Sequence, residues 1–170
     1  MKSLWREYSV DEKRQTPKEI VEEQCKILSE LTEGKVIAHI GEYHGEYKNK
    51  YKLNHSEIGM FSQAATMGFP RKEVVFDVQS ELGESAEFVY EFYITSKRTP
   101  QYKYRVFFLF YSAMLYPIGV SLDQSISEEI NCDKCELRIN DEEQFIDMLS
   151  KILQSERITS VISNLLRMNY

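Results

Sequence analysis

Val106-Phe107-Phe108-Leu109-Phe110-Tyr111 decides the reading of this chain, because six consecutive large apolar residues leave a strand apolar on both faces. Such a strand needs cover above and below, which places it in the middle of a sheet. The segments around it share its period of two. Strands are expected over 73–79, 86–96, 102–113 and 116–123, broken at Leu82-Gly83, Arg98-Thr99-Pro100 and Tyr116-Pro117. Breaks this short join antiparallel neighbours into a β-meander. Eleven of the 21 aromatic residues fall between Phe88 and Tyr116, so the core is concentrated here.

Upstream, Val36, Ala38 and Ile40 share one face of a strand expected over 35–41, with Ile37 and His39 on the other. A second, half-exposed strand is expected over 43–53, with Tyr43, Tyr47, Tyr51 and Leu53 opposite His44, Glu46, Lys48, Lys50 and Lys52. A short helix from Asn54 or Ser56 through Ile58, Met60, Phe61, Ala64 and Ala65 ends before Gly68 and Pro70. Thr16-Pro17-Lys18-Glu19 opens a helix over 17–33, with a capping threonine, a proline at the first helical position and a glutamate placed to return the bond. Ile20, Val21, Cys25, Leu28 and Leu31 form its apolar stripe, and Gly34 closes it.

Downstream, residues 124–134 read as polar and turn-rich, and 136–139 as a short strand. Asn140 then begins a helix with Asp141, Glu142 and Glu143 at the positive end of its dipole. Phe145, Ile146, Leu149, Ile152 and Leu153 form its buried stripe, and a second helix after Ser155 carries Ile158, Val161, Ile162 and Leu165. The expected fold class is α+β: an antiparallel β-meander sheet of about five to seven strands packed against an N-terminal helix and two C-terminal helices. One domain over 1–170 is expected, with residues 1–16 a polar arm that could be flexible or dock through Leu4, Trp5, Tyr8 and Val10.

Charge bounds the function classes. There are 21 basic and 27 acidic residues, a net charge of −6, which disfavours a general binder of nucleic acid or anionic membrane. Residues 124–170 hold nine of the acids against five cations and form the acidic pole. No apolar run approaches the ~20 residues that cross a bilayer, and the charged N-terminus lacks a signal peptide's apolar region. A cytoplasmic address and three reduced cysteines are therefore expected.

Several groups invite a chemical reading. His39, His44 and His55 fall close to Glu42, Glu46 and Glu57, but their spacing matches no metal signature; solvated histidines at strand ends are the plain alternative. Cys132-Asp133-Lys134-Cys135 is a single CxxC without the second pair that structural zinc needs, in an acidic turn rather than at a helix start. Asp77 and Gln79 on one strand, with Glu87 and Glu91 on the next, could hold Mg²⁺ for phosphodiester hydrolysis. The usual core of that kind has a lysine two positions after its acid, where Tyr93 stands here. Lysines beside Tyr43, Tyr47 and Tyr51, and Lys97, Arg98, Lys103 and Arg105 at a hairpin, read as edge protection before they read as a surface for single-stranded bases.

The expected function is therefore a non-catalytic acidic binding protein that neutralises or regulates a basic protein partner, for example an immunity-type inhibitor of a bacterial toxin, with no cofactor and no metal. Glu128, Glu129, Asp133 and Glu136, beside the CxxC, are the expected contact residues. The alternative is a metal-dependent hydrolase or nuclease-like enzyme with a site around His39, Glu42, His44 and Asp77. A third reading, a small-ligand or regulatory module, requires an apolar pocket between the sheet and helix 17–33.

Overall fold

The structure is a computed structural model that describes residues 15–44, 88–132 and 135–168, together with the backbone of 48–49 and 75–76. In chain order the elements are α1 (Pro17–Leu31), β1 (Val36–Glu42), β2 (Lys48–Asn49), β3 (Val75–Phe76), β4 (Phe88–Ser96), β5 (Tyr104–Tyr111), β6 (Ile118–Leu122), α2 (Gln124–Glu129), β7 (Glu136–Ile139), α3 (Glu142–Leu153) and α4 (Glu156–Arg167). Five strands form one antiparallel sheet in the order β1-β4-β5-β6-β7, so the doubly apolar strand β5 is its centre. The fold is α+β, as the sequence indicates.

Local chemistry explains the helix ends. Thr16 Oγ1 accepts from Glu19 N–H at 3.2 Å while the Glu19 carboxylate accepts from Thr16 N–H at 2.7 Å, a reciprocal capping box that sets the start of α1. At its other end Glu33 and Gly34 take φ values of 52° and 69°, and Gly34 N–H donates to the Ser29 carbonyl at 2.7 Å. Asp141 and Ser155 cap α3 and α4 by accepting from Gln144 and Ile158 N–H.

One irregularity in the sheet governs its chemistry. Opposite β4, Phe92 pairs with Phe107 but Tyr93 pairs with Arg105, so Val106 is an extra residue, a β-bulge. Strict alternation would send Arg105 and Phe108 to opposite faces. The bulge places both on the face that carries Glu91 and Tyr93. The other face carries Tyr90, Phe92, Ile94, Phe107, Leu109, Ile118 and Val120, which pack with Val36, Ala38 and residues of α1, α3 and α4 into the main core. Phe108 and Phe110 form a separate buried cluster, packed with the half-buried Tyr43 and Val89.

Several expectations need correction. Strand 73–79 does not extend the meander where it is described: Val75–Phe76 pairs in parallel with Lys48–Asn49 of the expected strand 43–53, in a separate two-stranded sheet, while Tyr43 and His44 lie in no strand. Residues 124–129 are helical rather than a loop, because Asp123 caps them and Ile126 is buried beneath. The first C-terminal helix is capped by Asp141, not Asn140, whose N–H instead donates to the Gln144 side chain. Leu31 and Ile146, placed on buried stripes by their spacing, stand 78% and 50% exposed. Residues 1–14 of the arm expected over 1–16, and the short helix expected near Ile58, lie outside the described residues.

Phe108 is 2% exposed on the central strand. Phe108→Ala is expected to destabilise the fold by about 3–5 kcal/mol in denaturant unfolding, and an unchanged transition would contradict its central placement.

Candidate functional site

Two surfaces repay construction from their residues. The first is the sheet face turned away from the helices. Cross-strand pairing sets Gly41, Glu91, Phe108, Ser121 and Glu136 in one row across β1, β4, β5, β6 and β7. Glu91 is only 5% exposed, a carboxylate that must be paired if it is to stay ionised. Arg105 Nε meets Glu91 Oε1 at 2.5 Å, and Lys103 Nζ meets the other carboxylate oxygen. Burial raises the carboxyl pKa, but hydrogen bonds from Lys103 and Arg105 outweigh it, so the pKa lies below its ordinary value.

Both cations are also stacked. Lys103 Nζ lies 4.1 Å from the centre of the Tyr93 ring and the Arg105 guanidinium 4.4 Å from that of Phe108. On the far side of Tyr93 the His39 ring stacks at 5.1 Å between centroids. Thr95 Oγ1 donates to the Ile37 carbonyl at 3.3 Å and so accepts from His39 Nε2 at 3.1 Å. Burial, then the charge of Lys103, lowers the His39 pKa, which favours the neutral ring. Every charge in this cluster has an internal partner, and the arrangement holds the β4–β5 hairpin rather than leaving a reactive group aimed outward.

Of the residues expected to form an enzyme site, the three described, His39, Glu42 and His44, do not share one face of the sheet. His39 lies on this polar face, whereas Glu42 pairs across from Tyr90, whose ring belongs to the opposite, helix-covered core. Glu42 and His44 approach to 3.7 Å, both exposed. Asp77, His55 and Glu87 lie outside the described residues, among which no three His, Cys, Asp or Glu side chains converge as a metal site requires. Cys25, Cys132 and Cys135 form no disulfide. Burial in α1 pushes the Cys25 pKa up to about 11, so it behaves as core packing. The CxxC is a connector: Cys132 N–H donates to the Ser127 carbonyl at 2.9 Å, and the Cys135 carbonyl accepts from Leu122 N–H at 2.8 Å.

The expected acidic contact residues also separate. Glu128 accepts from Gln124 Nε2 at 2.8 Å on α2. The Glu129 carboxylate accepts from the backbone N–H groups of Glu156 and, at 3.1 Å, Arg157, so it caps the start of α4. Glu136 sits half-buried on β7 within the polar-face row, and Asp133 lies outside the described residues. At the hairpin, Arg98 Nη1 donates to the Met168 carbonyl at 3.0 Å, which ties it to the C-terminal end of α4.

The second surface lies where the third reading required an apolar pocket, between the sheet and helix 17–33, and it extends to α3. An open groove of about 540 Å³ runs between α1 and α3 on the helical side of the sheet. Ala38, Phe92 and Ile94 line it from the strands, Ile20, Ile27, Leu28 and Leu31 from α1, and Ile146, Leu149 and Leu153 from α3, with Ile158 and Ile162 from α4. Ile27, Leu31 and Ile146 project from it, 42%, 78% and 50% exposed. Glu23 is the sole charged residue among the described lining residues, and no lysine or arginine is among them. The helical spacing of Leu31 and Ile146 is the signal that could have located this groove, since an apolar stripe marks a face seeking cover whether or not the chain supplies it. No helix among the described residues is long and apolar enough to cross a membrane. Comparison with known proteins gave no matching family, no matching curated protein and no matching solved structure.

Because the folded Glu91 carboxyl titrates below its unfolded value of about 4.3, it contributes stability above that pH and loses it as pH falls through the lower folded value. Glu91→Gln is expected to cost about 1–3 kcal/mol at pH 7. The deficit relative to wild type should shrink in unfolding titrations taken below pH ~4; a deficit independent of pH would show that the paired charge is not what Glu91 contributes.

Proposed function

We propose that this chain is a non-catalytic binding protein that takes hold of a basic protein partner, with the groove between α1 and α3 as its apolar anchor. One observation carries the reading: three large aliphatic side chains, Ile27, Leu31 and Ile146, stand in water around an apolar trough. Exposed aliphatics grouped around a concavity are costly to leave hydrated and are characteristic of surfaces that bind another molecule. A small apolar ligand would occupy the floor over Ala38, Phe92 and Ile94 yet leave Leu31 in solvent. A polypeptide lying across the groove reaches the floor and the rim together.

Charge selects among polypeptides. Four glutamates against two lysines lie on α1, and three acids against one lysine on α3, within a chain of net charge −6. Two of these cations are committed locally, Lys18 to Glu22 at 3.1 Å and Lys151 to Asp147 at 2.7 Å. The acidic flanks would steer a cationic partner while the aliphatic rim supplies residence time. Inhibition of a basic toxin by an immunity-type mechanism is one form of this activity, and a cytoplasmic location suits it. Glu128 and Glu136 add to the same negative field, whereas Glu129 serves chiefly the fold.

The test is affinity capture with the full chain followed by hydrogen-exchange mapping of the captured complex. Protection is expected in α1 and α3, and Leu31→Ser with Ile146→Ser should abolish capture while shifting stability by no more than about 0.5 kcal/mol. Protection confined to the α2–β7 acidic segment, with capture intact in the double variant, would move the contact away from the groove.

A further inference from the structure

The groove restricts what shape of polypeptide can enter it. Its floor consists of side chains, Ala38 from β1 and Phe92 and Ile94 from β4, that point away from the hydrogen-bonding plane of the sheet. An extended segment laid there would find no strand edge to pair with, and its run of N–H and C=O groups would meet only the scattered side chains of Gln15, Glu23, Gln24, Ser150 and Gln154 among the apolar lining. A helix satisfies those groups internally and presents only side chains. The position agrees, because α1 and α3 with α4 form one layer on the sheet and the groove is an open strip of that layer. Ala38 is the smallest residue of that floor.

The groove also has a polarity. Glu23 is its only charged lining residue among those described, and the C-terminal end of α1 next to Leu31, capped by backbone N–H groups of Thr32, Glu33 and Gly34, has no basic residue in its last turn. Cations on an incoming helix would face both. We infer that the groove receives an amphipathic helix of the partner, its apolar stripe seated on Ile27, Leu31, Ile146 and the floor and its flanking lysines or arginines directed to Glu23 and the C-terminal end of α1. This inference rests on the protein-binding reading above and names the occupant of that same surface.

A fluorescently labelled lysine–leucine peptide of about five helical turns, with one apolar stripe, serves as the probe in a titration with the full chain. Saturable binding is expected, weakened at least ~tenfold by Leu31→Asp or Ile146→Asp and weakened also by Glu23→Lys. The aspartate variants add negative charge, so tighter or unchanged binding in them would overturn the inference by showing attraction through charge alone. Melting curves of the variants, unchanged for these exposed sites, keep loss of binding separate from loss of fold. A peptide of the same composition with two central prolines is expected not to bind. Equal binding of that broken peptide at the groove would overturn the helix and leave the protein-binding reading standing, whereas failure of every peptide and of the captured partner to protect α1 and α3 would remove both. A dimer of the chain that dissociates on Leu31→Asp would assign the groove to a second copy and overturn the inference.

Discussion

The structure depends on covering the central strand β5 from both sides. Phe107, Leu109 and Tyr111 are buried against the helices and Phe108 and Phe110 on the reverse face, so neither face can be left to solvent. Aromatic side chains of this size contribute a large share of the apolar surface removed from water. The bulge at Val106 is what allows the two faces to differ in chemistry. It sends Phe107 into an all-apolar layer and gathers Arg105 and Phe108 beside Glu91 on the other side. On the polar face Glu91 is held by internal ion pairs, and on the helical face the described residues leave one strip incompletely covered.

The two surfaces invite opposite conclusions about function. A buried carboxylate flanked by two cations, a histidine and a tyrosine has the composition of an active site, yet its bonds all run inward. Glu91 is held by Lys103 and Arg105, and His39 is occupied by Thr95 and Tyr93. Satisfied groups of this kind stabilise and orient a hairpin. The groove has no such closure. Among the described residues nothing covers Ile27, Leu31 and Ile146, and that exposure is the physical basis of the proposal that the groove binds a partner.

Much of the fold was legible because it follows from local signals. Thr16-Pro17-Lys18-Glu19 forms the capping box its order suggests, and the doubly apolar run at 106–111 is the central strand. The sites were less legible because they depend on residues distant in the chain. Nothing near Glu91 announces that a hairpin with a bulge will return Lys103 and Arg105 to it, 12 and 14 positions later. Glu129 looked like a free surface acid, but it caps a helix that begins 27 residues on. Leu31 and Ile146 show the limit most directly: spacing identifies the apolar side of a helix, and only the packed layer reveals whether another part of the chain covers it.

The most direct test is the isoleucine methyl spectrum of the full chain, recorded with and without the proposed partner. Ile27, Ile146 and Ile162 report from the groove, and Ile37 reports from the opposite face of the sheet. The account predicts that the partner shifts the groove methyls and shields them from a soluble paramagnetic probe while leaving Ile37 in place. A partner that perturbs Ile37 and leaves Ile27, Ile146 and Ile162 unchanged would contradict it.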